Sequence, residues 1–336
     1  MFIDLDLKRR GASVPQPTIS VVMPSRNRLE RLPALIRNYL DQGADEIIVV
    51  LDGPHPGWHE TLSEQAAEER VHIDELPSNR GLALARTAGL DRASKDVVII
   101  ADDDVVPLPG MVDRHRSYHA DHVDHALLGY MPVDLPDQRG RDQAATYVYA
   151  KDYANQVEIW RTAEPSTLLD SFWGGNASLP AALYRRAEAY KPSQRLNYNE
   201  DLDLGIRLGL IGAGAGFDER AKGLHQHSRD FASFLRECVV RGEAVADLEV
   251  RWQTLPYQLT ELVQIPDGQR AIAASVQRRI GERNTAGLIE GAALAAYRVA
   301  GVLKLWPVQD AIARLLRRGL AIRGYRLTTE KRDTTS

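Results

Sequence analysis

Cysteine is almost missing: Cys238 is the only one in 336 residues. An intramolecular disulfide is thereby excluded, and a cytoplasmic home is the simple expectation. Cys238 keeps helical step with Phe231, Phe234 and Leu235, so a buried, inert thiol is expected. Long apolar runs are missing too. No stretch reaches 18 consecutive apolar residues, which argues against a spanning helix. The opening MFIDLDLKRR lacks the apolar centre of a secretory leader, and none is expected. Charge of one sign does not dominate. The 42 Lys and Arg against 46 Asp and Glu leave a net charge of -4, so nothing global favours nucleic acid. No internal repeat or low-complexity tract is present. A glycine-rich phosphate loop ending in Gly-Lys-Ser/Thr is absent, which excludes a P-loop kinase. Gly212-Ala213-Gly214-Ala215-Gly216-Phe217 ends in Phe and follows no clear strand, so a dinucleotide fingerprint is not expected there.

What is present is a rhythm. Ile19 to Met23 is apolar and β-branched, as a buried strand is, and Pro24 and Asn27 break it. Leu32, Leu35, Ile36, Tyr39 and Leu40 follow with a helical period that stops near Gly43. Glu46 to Leu51 reads as strand, 58 to 69 as helix, and Val71 to Leu76 as strand. Leu82 to Ala93 reads as helix and Val97 to Ala101 as strand. Such βα alternation predicts a mostly parallel sheet covered by helices on both faces. Ligands gather at the carboxyl ends of such strands. That rule selects Pro24 to Asn27, Asp52 and Gly53, Pro77 to Gly81, and Asp102 to Asp104. Further on, Leu127 to Val133 reads as strand, 142 to 165 as a helix or a substrate-facing loop, and 200 to 211 and 230 to 250 as helices. A run of helices is expected after about Pro256.

Four motifs carry chemistry. Asp102-Asp103-Asp104 ends an apolar strand, and three adjacent carboxylates repel one another. A divalent cation such as Mg2+ or Mn2+ would relieve that repulsion and keep open positions for phosphate. A solvated turn or a helix N-cap is the competing reading. Asn199-Glu200-Asp201 opens a helix, where acids also suit the dipole. A carboxylate there could take the proton of an acceptor hydroxyl. Phe172-Trp173-Gly174-Gly175-Asn176 offers close backbone approach beside a flat indole face suited to a sugar ring, or a plain turn. His225-Gln226-His227 supplies imidazoles, common transition-metal ligands and common surface residues alike.

The order of these motifs resembles glycosyltransferase family 2, inverting enzymes of the GT-A nucleotide-diphospho-sugar transferase fold. Ile19-Ser20-Val21-Val22-Met23-Pro24-Ser25-Arg26-Asn27-Arg28 is similar to the family's ISVVIPTYNR opening, and Glu46 to Gly53 to its EIIVVDDG strand. Asn79-Arg80-Gly81 with Ala85-Arg86 resembles NxGxxxAR. Asp102-Asp103-Asp104 takes the DxD position, Gly174-Gly175-Asn176 the GGN position and Glu200-Asp201 the ED position. The likeness covers roughly 18 to 230. The resemblance implies that Pro24, Ser25, Asn27 and Asp52 frame the nucleoside, with Arg80 and Gly81 near the base or ribose. Asp102 and Asp103 belong to the donor site, and Asp104, Asp102 and His225 to a Mn2+ or Mg2+ ion, with His227 the fallback ligand. Trp173, Gly174, Gly175 and Asn176 belong to the sugar and acceptor side. Asp201 is the implied catalytic base, and Glu200 orients the acceptor. Leu51 departs from the family, which often has an Asp there that reads the base. The nucleotide is therefore open among UDP, GDP and dTDP, with UDP favoured.

The expected organisation is an extension over 1–17, a catalytic domain over 18–255 and a helical C-terminal region over 256–336. The catalytic domain divides into a nucleotide half, 18–104, and an acceptor half, 105–255. His115 and His119 stand four apart among Arg, Ser and Tyr, which reads as an exposed helix. Arg314, Arg317, Arg318, Arg323 and Arg326 suggest either a basic face on an anionic membrane or packing on the core. Expected partners are a nucleotide-sugar donor and a carbohydrate, lipid-linked or small-molecule acceptor, without nucleic acid. Peripheral contact with the inner face of the membrane and a homo-oligomer stay open. A sugar nucleotidyltransferase also places aspartates at a parallel sheet edge, but its glycine-rich first loop is missing between Pro24 and Arg28. A non-catalytic nucleotide-sugar-binding protein is the remaining alternative.

Overall fold

Buried strands dominate the first half of the chain. The computed structural model describes residues 16–190, 196, 198–252, 271–282 and 286–334. The expected extension therefore lies outside the described residues over 1–15, as does the stretch around Pro256.

β1 (Ile19–Ser25) and β2 (Glu46–Leu51) are buried along their whole length. Both faces are covered, so they read as unbroken apolar runs and not as alternation. α1 (Leu32–Asp41) joins them, with Pro33 in its first turn where a missing N–H costs little. Two one-turn helices, α2 (Trp58–Thr61) and α3 (Ser63–Ala66), stand where one helix was expected. Leu62, which leaves helical geometry between them, is fully buried. β3 (Val71–Glu75), α4 (Leu82–Arg92) and β4 (Val97–Ala101) follow as the periodicity predicts.

Beyond β4 come β5 (Val105–Pro107), α5 (Met111–Asp121), β6 (His125–Tyr130), α6 (Ala144–Trp160), β7 (Asn176–Pro180), α7 (Ala181–Ala187), α8 (Glu200–Leu210) and β8 (Gly214–His225). The sheet order is β3-β2-β1-β4-β7-β6-β8-β5. β3, β2, β1 and β4 run parallel, and β7 is antiparallel to β4 and β6. β8 is parallel to β6 and antiparallel to β5. The order reverses at β1, which makes its carboxyl end the ligand crevice.

Helices cover both faces. Val22, Val50 and Ile100 pack with Ala85 and Leu90 of α4. Val21, Val49 and Ile99 pack with Ile36 and Tyr39 of α1 and with Met111 of α5. Gly89 lets α4 sit down on β1, because a Cβ there would lie 2.5 Å from Val22 Cγ1. α9 (Phe231–Arg251), α10 (Ala271–Gly281), α11 (Ala286–Val302) and α12 (Trp306–Asp333) form the helical C-terminal region. Phe234, Cys238, Ile280, Tyr297 and Leu316 share one core there, and Cys238 is buried as expected.

One expectation fails. His115 and His119 are buried, not exposed. His115 bonds Ser178 Oγ at 2.7 Å and Asn176 Oδ1 at 2.9 Å, and His119 bonds the same Ser178 hydroxyl at 2.7 Å. Burial drives His115 down to about 4 and His119 to about 3, so both are neutral struts between α5 and β7. Two of the C-terminal arginines, Arg317 and Arg323, are engaged within the fold, while Arg326 is exposed. Arg317 pairs with Asp152, and Arg323 bonds Glu290 at 2.8 Å and the Ile280 carbonyl. Among the described residues no helix is long and apolar enough to cross a membrane.

Candidate active site

The carboxyl ends of β1, β2 and β4 supply the first wall. Ser25 Oγ donates to Asp103 Oδ2 at 2.6 Å, and Arg28 reaches the other Asp103 oxygen at 2.5 Å. Asp103 is 5% exposed and spends both oxygens on this brace. It fixes the β1 loop to the end of β4. Burial still pushes its carboxyl above the usual range, against the pull of Arg28. Asp52 behaves similarly. Its two oxygens accept the Arg80 N–H at 2.6 Å and the Gly81 N–H at 2.9 Å, which ties the loop before α4 to β2. Gly81 needs its φ of 85° at that turn. Asn27, at φ 58°, contacts His55 Nε2 through its N–H at 3.1 Å.

The second wall comes from β8. Asp104 Oδ1 lies 3.3 Å from His225 Nε2, and its Oδ2 lies 3.0 Å from Arg28. Burial would raise the Asp104 carboxyl, yet the bond and charge of His225 and the charge of Arg28 win and take it down to about 2. His225 Nδ1 is buried without a hydrogen-bond partner. His227 turns away: its ring stacks on Tyr149 at 4.5 Å, and Nδ1 meets Thr146 Oγ1 at 3.1 Å. Among the described residues no three His, Cys, Asp or Glu side chains converge on a metal position. Asp102, expected to be a ligand, accepts from Arg86 through Oδ1. The pair Asp104 and His225 does fit a divalent ion that draws its other ligands from phosphate oxygens and water.

The third wall is α8. Arg86 on α4 is buried, and it bonds Glu200 Oε1 at 2.6 Å and Asp102 Oδ1 at 2.9 Å. Burial opposes its charge, but Glu200, Asp102 and Asp201 hold it firmly protonated. Asp201 accepts the Leu202 N–H at 2.8 Å and the Gly174 N–H at 3.3 Å. A cavity of about 80 Å³, lined in part by Leu84, Phe172 and Leu204, lies beside it. Burial and the neighbouring Glu200 charge lift the Asp201 carboxyl to about 7, against Arg86.

The glycine pair lets the chain pass between these walls. A Cβ on Gly174 would lie 3.1 Å from Arg86, and one on Gly175 would lie 2.8 Å from Asp102 Oδ2 and 2.9 Å from Met131. Asn176 does not join the site. It is 1% exposed, donates to the Tyr130 and Ala221 carbonyls and bonds His115, so it stitches β7 to its neighbours. Trp173 remains at the rim, stacked on Tyr149 at 5.7 Å and beside Tyr153 at 5.2 Å. Tyr149 was missed from the sequence, although it lies in the 142–165 segment read as a helix or a substrate-facing loop. Burial and the charges of Asp102 and Asp104 keep its hydroxyl protonated. Arg28 and Arg86 were missed as well, though both sit inside quoted motifs.

The mixed sheet, its flanking helices and the acidic corner at the β1 switch point define a GT-A-type domain. Within it, residues 20–173 match the family profile described as Glycosyl transferase family 2. The amylovoran biosynthesis glycosyltransferase AmsE of Erwinia amylovora is 27% identical over 129 residues, 38% of this chain and 48% of that protein. The undecaprenyl-phosphate 4-deoxy-4-formamido-L-arabinose transferase of Pectobacterium carotovorum is 36% identical over 134 residues, 38% of this chain and 40% of that protein. The matches thus span less than half of either relative. In fold, the chain is similar to the mannosyltransferase PcManGT from Pyrobaculum calidifontis, solved with GDP-Man and Mn2+. The TM-score is 0.55 at 15% identity, over 92% of this chain and 87% of that one.

Proposed function

We propose that this protein is an inverting glycosyltransferase that moves a sugar from a nucleoside diphosphate, UDP before GDP or dTDP, to an acceptor hydroxyl. The carrying observation is Asp201. Its raised carboxyl is linked through Glu200 and Arg86 to Asp102, on the sheet edge that also holds Asp104 and His225. A base with a pKa near the working pH is best placed to take a proton during bond formation.

The acceptor oxygen attacks the anomeric carbon as its bond to the diphosphate breaks, and Asp201 takes the hydroxyl proton. Attack opposite the leaving group inverts that carbon. Trp173 offers its indole face to a sugar ring, and the Gly174 N–H fixes the direction of the base. Arg86 holds Asp102 and Glu200 in register across the cleft. A Mn2+ or Mg2+ ion held by Asp104 and His225 would neutralise charge on the departing diphosphate. The acceptor is a carbohydrate, a lipid-linked sugar or a small metabolite.

Asp201→Asn should keep donor binding and lose transfer by about 10²–10⁴-fold, the usual share of a general base. Calorimetry with the donor and an assay of released nucleoside diphosphate measure the two. Unimpaired turnover by this variant, or release of pyrophosphate, overturns the reading.

A further inference from the structure

Six of the thirteen strongly exposed large apolar side chains among the described residues fall between 288 and 308. They are Leu288, at 90% exposure, with Val299, Val302, Leu303, Leu305 and Val308. Helical spacing explains how. Ile289, Ala293, Leu294, Tyr297 and Ala300 turn α11 into the core. Leu288, Ala292, Ala295, Val299 and Val302 line its outer side, all exposed. Lys304, at φ 55°, stops the helix, and Pro307 starts α12, so Leu303, Leu305 and Val308 gather on the elbow.

The charges on this face have one sign. From 291 to 309 there is no Asp or Glu, and the only charged residues are the exposed Arg298 and Lys304. Glu290 is held by Arg323, and Asp310 by Arg139. An apolar face rimmed by cations suits the interface of an anionic bilayer. The elbow is also coupled to the cleft. Arg139 lies over the rings of Trp306 and Tyr147 at 4.9 and 4.4 Å. One residue before Tyr147, Thr146 bonds His227, and His227 stacks on Tyr149.

We propose that the α11–α12 elbow is a docking surface for anionic phospholipid, holding the cleft close to the membrane plane. The surface is this elbow and not the arginine series of α12, and the docking does not depend on the chemistry proposed above.

The full chain would be sedimented with vesicles of phosphatidylcholine plus phosphatidylglycerol and with phosphatidylcholine alone. Binding is expected only to the anionic vesicles. Val302→Asp with Leu303→Asp should weaken it by about tenfold or more, and Arg298→Gln with Lys304→Gln by roughly as much. All four positions are exposed, so the melting curve should not move. A Leu303→Cys variant carrying a polarity-sensitive dye should shift to the blue on adding anionic vesicles. Cys238 is buried and stays unlabelled, and the same dye at Val123→Cys should not shift. Absence of binding overturns the proposal, as does equal binding to both vesicle types. A dye at 303 that is already blue-shifted without vesicles overturns it too, because a second copy or this chain itself would then cover the face.

Discussion

A carboxyl lifted to about 7 is half ionised at neutral pH, so Asp201 should set the acid limb of the pH profile. The limb of kcat/KM is expected near that value, with activity rising as the base ionises. Glu200 is one cause of the lift, and Arg86 works against it. Glu200→Gln should therefore move the limb to lower pH, by on the order of one unit. A limb that stays in place would show that burial alone sets the base. Stability runs the other way. A folded pKa above the unfolded one favours the fold fully below the ordinary Asp range and loses that contribution as pH rises through about 7. Asp201→Asn should flatten that part of the stability curve, as denaturant melts at several pH values would read. Glu200 and Asp201 were legible because two acids opened a helix. Arg86 and Tyr149 were not, since their partners include residues of other elements that only folding brings near. Asn176 was read from its sequence neighbours, whereas its buried partners lie on β6, β8 and α5.

At the level of elements, three of the strands that could be read are buried along their whole length, and β3, mostly half-buried, could be read as well. β1, β2 and β4 announce themselves by composition, and α4 and α8 by period and position. β5, β7 and β8 do not. β8 runs GAGFDERAKGLH, with glycines, charges and a bulge against β6, and it lies partly exposed. Its pairing, not its residues, makes it a strand. The glycine-rich start that invited a dinucleotide reading is where β8 lies beside other side chains: a Cβ on Gly216 would lie 2.5 Å from the Tyr118 hydroxyl. Glycines also decide the helical region. A Cβ on Gly324 would run into the Val239 carbonyl, so α12 and α9 touch backbone to backbone. Gly324→Val should destabilise the fold by about 1–3 kcal/mol through forced separation. Gly291 has open space around its Cβ position and sits inside α11. Gly291→Ala should stabilise by about 0.5–1 kcal/mol. Urea melts of both variants check the contrast, and equal losses would refute the packing account.

Across the whole molecule, the cleft is assembled from distant parts: β1 and β2 loops, the end of β4, the end of β8 and the start of α8. A nucleoside diphosphate that engages all of them should hold the sheet and α8 together and raise the apparent stability of the folded chain. At a hundredfold excess over its Kd, one ligand adds about 2.7 kcal/mol. For a chain of this size that is roughly 4 °C in Tm. UDP with Mn2+ should give the full shift, and UDP with chelator a smaller one. His225→Ala removes one half of the Asp104 and His225 pair but none of the β1 or α8 contacts. It should therefore lose the metal-dependent part of the shift and keep the metal-free part. Differential scanning of the two proteins, each with and without Mn2+, separates these terms. If His225→Ala retains the full manganese response, the ion does not sit between Asp104 and His225, and the corner needs another ligand set.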